Sequence, residues 1–202
     1  MRLAILLSGR GSNFAAIHQA IVDRRLEAQI VCVISNQPDA AGLARARELG
    51  LSAHLIDHRS FSTRAAHEEE VLRILAEAEP DFICLAGYMR LLTPAFIAAW
   101  PHRILNIHPS LLPSFPGVDA QAQAVAYGVK ISGCTVHFVD ENLDTGPIIV
   151  QRSVPVLDDD TAETLAARIL EQEHIAYAEA LKKLGTRKWR IEGRRVIFEV
   201  AR

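Results

Sequence analysis

Asn106 and His108 stand two residues apart in an apolar run, "RILNIH", followed at once by Pro109, Pro113 and Pro116 in "PSLLPSFPG". On an extended segment that spacing points both side chains to one face. A side-chain amide can donate a hydrogen bond to a developing oxyanion, worth roughly 10²–10³ in rate. An imidazole can take up or release a proton near neutrality, worth about 10²–10⁴. Asp144, in "DENLDTGP" (140–147), adds a carboxylate that would favour an imidazolium beside it. The three residues together suit acyl transfer with neither a protein nucleophile nor a metal. Each also has a plainer reading alone: Asn106 as a turn cap, His108 as a satisfied buried histidine, Asp144 as a turn aspartate. His137, in "TVHFV", is a candidate supporting neighbour of the trio, with a purely structural role as its plainer reading.

A second chemical signal is "SGRGSNF" (8–14), between an apolar strand and a helix. A helix N-terminus offers free N–H groups to an anion, and Gly9 and Gly11 would let the backbone approach it closely. Ser12 and Asn13 add side-chain donors. The dinucleotide fingerprint is incomplete, because Phe14 occupies the place of its third glycine. The following strand also ends "ISN", with no acidic residue to hold a ribose. A Walker loop is excluded by the lack of Gly-Lys-Ser/Thr. A single phosphate fits better than a pyrophosphate, and a tight βα turn capped by Ser or Asn fits the residues equally well. No G-x-S-x-G elbow, H-E-x-x-H or Cys/His cluster is present, which disfavours a serine hydrolase and a metal site.

The elements that must position these residues follow from the apolar pattern. "RLAILL" (2–7) is a strand buried on both faces, and "FAAIHQAIVDRR" (14–25) has helical spacing. Strands are expected at 28–36, 52–57, 81–88 and 103–108. Helices are expected at 41–50, closed by Gly50, and at 63–79, stopped by Pro80. This alternation implies βαβ units and a mostly parallel sheet with helices on both faces, an α/β Rossmann-like class. Ligands of such sheets bind beyond the carboxyl ends of the strands, where both the 8–14 loop and the end of "RILNIH" should open. Further on, a helix is expected at 121–128 and strands at 132–140 and 147–156. A long helix over 161–185 follows, with Asp160 and Glu163 as its capping box and Gly185 as its C-cap. The tail, 188–200, reads as a β-hairpin around Glu192-Gly193.

The 202 residues suit one domain, and half of them are hydrophobic. A formal net charge of −2 excludes general attraction to nucleic acid or an anionic membrane. The arginines of the C-terminal hairpin are explained most cheaply as protection of an edge strand. Cys32, Cys84 and Cys134 lie dispersed in apolar stretches, which argues for buried free thiols and a reducing compartment. No leader or membrane-spanning run is read, so the expected location is the cytoplasm.

Four segments taken together resemble a known family: "SGRGSN", "LAGYMRLL", "LNIHPSLLPSFPG" and "DENLDTGPI". They are similar to the glycinamide ribonucleotide formyltransferases, in the wider folate-dependent formyltransferase group, and the likeness runs through nearly the whole chain in order. The resemblance implies a Rossmann-like fold and residues 1–202 as one formyltransferase catalytic domain. It implies transfer of a formyl group from 10-formyltetrahydrofolate, a co-substrate, to the amine of glycinamide ribonucleotide in purine synthesis. It implies Asn106, His108 and Asp144 as the catalytic trio and Gly11, Ser12 and Asn13 as a phosphate cradle. Glu173 becomes a ligand of the substrate ribose. Arg64, Met89, Arg90, Leu91, Leu92, Asn106 and the loop Asp140, Glu141, Asn142, Leu143, Asp144 become the folate site. Without the resemblance, Met89, Leu91 and Leu92 read as ordinary core, and Arg64 and Glu173 as solvated helix charges. Partners are then small molecules, with no nucleic acid, membrane or metal, in a monomer or homodimer.

Two departures from the family pattern stand out. Asn142 occupies a position where Gly is frequent, although Asn tolerates a left-handed backbone. "VDAQAQA" (118–124) lacks histidines that some members carry. Rivals are a formyltetrahydrofolate deformylase, which would carry an extra N-terminal domain, and a non-catalytic nucleotide- or folate-binding protein. A transfer-RNA formyltransferase would carry a further C-terminal domain. Among the X-Pro bonds, Leu112-Pro113 is the candidate for a cis bond.

Overall fold

The computed structural model describes residues 1–199, so the expected hairpin residue Val200 lies outside it. The chain packs as two compact units that meet in sequence between Leu105 and Asn106.

The first unit is a run of βα repeats. Its elements are β1 (Arg2–Leu7), α1 (Ser12–Val22), β2 (Gln29–Ser35), α2 (Ala41–Glu48), β3 (Ala53–Leu55), α3 (Arg64–Ala78), β4 (Phe82–Leu85) and α4 (Pro94–Ala99). It ends within β5 (Ile104–His108). The strands lie in the order β3-β2-β1-β4-β5. Parallel registers set Ile5 opposite Val33 and Cys84, and Val33 opposite Ala53. These are the first five places of the doubly wound order, whose direction reverses between β1 and β4 and so leaves a crevice beyond their carboxyl ends. Leu3 to Leu7 are fully buried, as the unbroken apolar run requires. Expected and observed elements agree to within a few residues, except that α4 and a single 3-10 turn at His58–Ser60 were not read from the sequence. Both are short, and α4 starts on the Thr-Pro pair of Thr93 and Pro94.

The second unit comprises the end of β5, α5 (Ala120–Tyr127), β6 (Ile131–Phe138), β7 (Ile148–Pro155), α6 (Ala162–Thr186) and the hairpin β8 (Trp189–Glu192) with β9 (Arg195–Phe198). The strand order is β5-β6-β7-β9-β8, and β6 pairs antiparallel with β7. α6 packs on β6 and β7. Its start corrects the expected cap. Thr161 is the N-cap and Thr164 its capping-box partner, one residue later than Asp160 and Glu163. Asp160 instead binds the Arg168 guanidinium through both carboxylate oxygens, at 2.6 and 2.8 Å. The far end also differs: the helix runs through Gly185 to Thr186 and is capped at Arg187. Leu112-Pro113 is cis. No helix among the described residues is long and apolar enough to cross a membrane.

Candidate active site

Asn106, His108 and Asp144 do come together, within the second unit, and His137 joins them. β5 presents Asn106 and His108 on one face, and β6 presents His137 beside them. The Asn106 amide nitrogen lies 3.3 Å from His137 Nε2. His108 Nδ1 lies 3.4 Å from one Asp144 oxygen, and His137 Nε2 lies 3.8 Å from the other. His108 and His137 are buried, as is the Asp144 side chain.

The hydrogen bonds assign the protons. His137 Nδ1 lies 2.9 Å from the carbonyl oxygen of Phe138 and must donate to it. Burial pushes the His137 imidazole below its ordinary pKa. The ring is therefore neutral, and its bare Nε2 accepts from Asn106. One Asn106 N–H is spent on His137, which orients the amide and leaves the second N–H to donate elsewhere. His108 Nε2 donates to the Phe115 carbonyl at 2.8 Å, so Nδ1 is the nitrogen turned to the Asp144 carboxylate. At 3.4 Å that approach is longer than an ordinary hydrogen bond. Nδ1 is thus the position on this ring from which a proton can be given or taken.

Asp144 is placed by its backbone as well as its partners. It adopts φ 53°, a left-handed conformation that a non-glycine residue holds only when its surroundings impose it. The Gly117 N–H donates to its carboxylate at 2.8 Å. Asn142, where the family often has Gly, does not use a left-handed backbone here; Asp144 does. Asp140 organises the turn instead: its carboxylate accepts from Asn142 N–H and from the Thr145 hydroxyl at 3.2 and 2.7 Å. Glu141, Asn142 and Leu143 are exposed along the loop.

The proline-rich segment is secured by three polar side chains that the sequence did not single out. The Thr135 hydroxyl donates to Ser110 O and accepts from Leu112 N–H, at 2.7 and 3.0 Å. Gln151 donates to Leu112 O at 2.8 Å. Ser110 Oγ donates to Ser114 O at 2.5 Å. Gln151 had a legible signal, a lone amide in the apolar strand "PIIVQRSVPV", of the same kind that marked Asn106. The Phe115 carbonyl had none, because any residue supplies one.

The other expected site residues divide between the units. In the first, Gly11 is left-handed and caps α1. A Cβ on Gly11 would lie 2.7 Å from Gly42 Cα, so this glycine is required by packing of α2 on the loop, whereas Gly9 faces open space. Ser12 opens α1 and Asn13 is buried in its first turn. Met89 and Leu91 are exposed (80% and 60%), so the ordinary-core reading fails for both. Leu92 and Arg90 are half-buried. Arg64 is exposed at the first position of α3, where its charge opposes the helix dipole. In the second unit Glu173 is buried on α6 and is no solvated helix charge.

Comparison with known proteins bears on the chain as a whole. A family model described as Formyl transferase matches residues 1–181. The chain is 48% identical over 185 residues to the trifunctional purine biosynthetic protein adenosine-3 of Drosophila melanogaster, a match covering 91% of this chain and 14% of that protein. The chain therefore spans only a small part of the trifunctional relatives' length. It is 41% identical over 177 residues to the phosphoribosylglycinamide formyltransferase of Escherichia coli strain K12, covering 88% of this chain and 84% of that one. The crystal structure of glycinamide ribonucleotide transformylase 1 from Symbiobacterium toebii is similar with a TM-score of 0.95 at 46% identity, over 98% of this chain and 93% of that chain. The chain belongs to the formyl transferase family.

Proposed function

We propose that this chain transfers a formyl group from 10-formyltetrahydrofolate to the amine of glycinamide ribonucleotide, as one catalytic domain over residues 1–202. The observation that carries the reading is the Asn106–His137 and His108–Asp144 pairing. It sets an oriented amide N–H beside a proton-carrying group, with no nucleophilic side chain among them.

The folate co-substrate supplies an activated formyl carbon on N10. The substrate amine attacks that carbon, a C–N bond forms, and the formyl oxygen becomes an oxyanion. Asn106 gives its second N–H to that oxygen, at no cost in reorientation because His137 already holds the amide. Protonated His108 adds positive charge to the same centre, and Asp144 balances that charge across Nδ1. The amine loses a proton and the departing N10 gains one. His108 Nδ1 and Asp144 form the route, directly or through one water. The C–N10 bond then breaks, and the proton count is unchanged over the cycle.

Gly11, Ser12 and Asn13 at the start of α1 are the phosphate cradle, and Gly9 is the residue whose open flank admits the phosphate. Glu173 is the ribose ligand. Arg64, the Met89–Leu92 segment with its exposed Met89 and Leu91, and the 140–144 loop bind the folate.

The test follows loss of 10-formyltetrahydrofolate with and without glycinamide ribonucleotide. Loss that requires the ribonucleotide and yields its formylated product supports the transferase. Loss without it, with release of formate, would overturn the reading in favour of a deformylase. No loss in either condition would overturn donor or acceptor.

A further inference from the structure

Glu68 lies on α3 and is 4% exposed, a burial that a carboxylate rarely accepts unless it is paired with a cation. Among the described residues no lysine or arginine forms an ion pair with it. Its partners are instead the Thr93 N–H, at 3.0 and 3.3 Å from the two oxygens, and the Thr93 hydroxyl, which donates to the second oxygen. Thr93 is the N-cap of α4, and its hydroxyl oxygen accepts from Phe96 N–H. Glu68 thus fixes the point at which the chain leaves the Met89–Leu92 segment.

The other end of that segment is also pinned. The Met89 N–H donates to Ser8 Oγ at 2.8 Å, and the same hydroxyl donates to Asn36 Oδ1 at 2.6 Å. Between these anchors Met89 and Leu91 turn apolar side chains outward. An irregular strap with exposed apolar side chains gains nothing for folding from being held so firmly. Its fixed shape has value to a ligand, because ordering the strap at the moment of binding would cost affinity.

We infer that Glu68 is a positioning residue for the folate site, clamping Thr93 so that residues 89–92 are preorganised to receive the reduced folate. The inference rests on the assignment of that segment to the folate. It adds a residue that touches no substrate, lies one helical turn beyond Arg64 and outside the four family-like segments, and acts on one ligand and not the other.

The experiment measures binding of tetrahydrofolate and, separately, of glycinamide ribonucleotide by titration calorimetry, in the wild-type chain and in Glu68→Ala, Glu68→Gln, Thr93→Val and Thr93→Ser. Losing a charge-assisted bond to the strap should weaken tetrahydrofolate about tenfold in Glu68→Ala and Thr93→Val. Thr93→Ser keeps the hydroxyl and should stay within about twofold. Glu68→Gln keeps one acceptor and should fall between. Ribonucleotide affinity should not change in any of them. The double variant Glu68→Ala with Thr93→Val should lose no more than the weaker-binding single variant, because Glu68→Ala already removes the hydroxyl bond that Thr93→Val removes. Wild-type folate affinity in Thr93→Val, or parallel loss of both ligands, would overturn the inference while leaving the transferase reading intact. Failure of the wild-type chain to bind tetrahydrofolate would overturn both. If Glu68→Ala does not fold, the contrast between Thr93→Val and Thr93→Ser decides alone.

Discussion

A proton on His137 Nε2 would face the Asn106 NH₂ group and turn that amide around, presenting its oxygen where the N–H is needed. Burial of His137 keeps the ring neutral and so protects the orientation of a neighbour. Asn106→Ala removes the N–H donor and should lower kcat by roughly 10²–10³ with little change in either KM. His137→Leu leaves the amide in place but unguided and should cost less, about tenfold in kcat. Combining the two should cost no more than Asn106→Ala alone, because His137 acts only through the amide. Steady-state kinetics of the three variants checks this. Additive losses would mean that His137 meets the substrate itself.

At the scale of elements, the loop that carries Asp144 crosses the end of β6 with no room to spare. A Cβ on Gly146 would overlap the Phe138 carbonyl oxygen, the same oxygen that holds His137 Nδ1. Gly146→Ala should therefore displace both Asp144 and His137. A misplacement near 1 Å costs about 10²-fold in rate. Circular dichroism should show a folded chain while kcat falls by about that amount. The start of α6 offers a contrasting prediction confined to stability. Thr161 accepts from Thr164 N–H and donates its own N–H to Thr164 Oγ1 at 2.9 Å. Thr161→Ala should lower the unfolding free energy by about 1 kcal/mol, read as a shift of the urea midpoint, with kcat unaffected.

For the whole chain, three histidines tie stability to pH. Burial lowers the pKa of His67, His137 and His174 below the ordinary value of 6.5. His67 is fully buried; its Nε2 donates to Ile56 O at 3.0 Å and its Nδ1 has no partner, so a proton there would be an orphan donor. In the unfolded chain these rings protonate as the pH falls through 6.5, while in the folded chain they stay neutral to lower pH. The unfolded state then binds more protons, and stability rises with pH across that window. The slope is up to about 1.4 kcal/mol per pH unit for each ring. Urea midpoints should fall between pH 7 and pH 5. His67→Gln, whose amide can still donate to Ile56 O, should flatten the dependence; an unchanged slope would exclude His67 as a contributor.

The amino-acid sequence by itself determined most of the architecture. Runs such as "RLAILL" and "DFICLAGY" can be buried only as strands covered on both faces, and their alternation with amphipathic stretches leaves a parallel sheet as the compact solution. It also marked residues that could do chemistry, because Asn106 and His108 interrupt an apolar strand and Asp144 adds a carboxylate in a loop, although each has a plainer role alone. Local detail was undetermined where several residues could do the same job, and the capping box read at Asp160 and Glu163 failed. Asp160 and Thr161 both suit an N-cap, and the Arg168 guanidinium claimed Asp160. Asn142 and Asp144 both tolerate a left-handed backbone, and contacts across the loop selected Asp144. Only the tertiary structure decided what depends on distance between residues far apart in the chain. The Gly11–Gly42 approach, the Phe115 carbonyl on His108 and the Glu68 clamp on Thr93 leave no local mark. A backbone carbonyl or a helix-face glutamate looks the same in sequence whether it faces water or a partner, and long-range packing alone distinguishes the two.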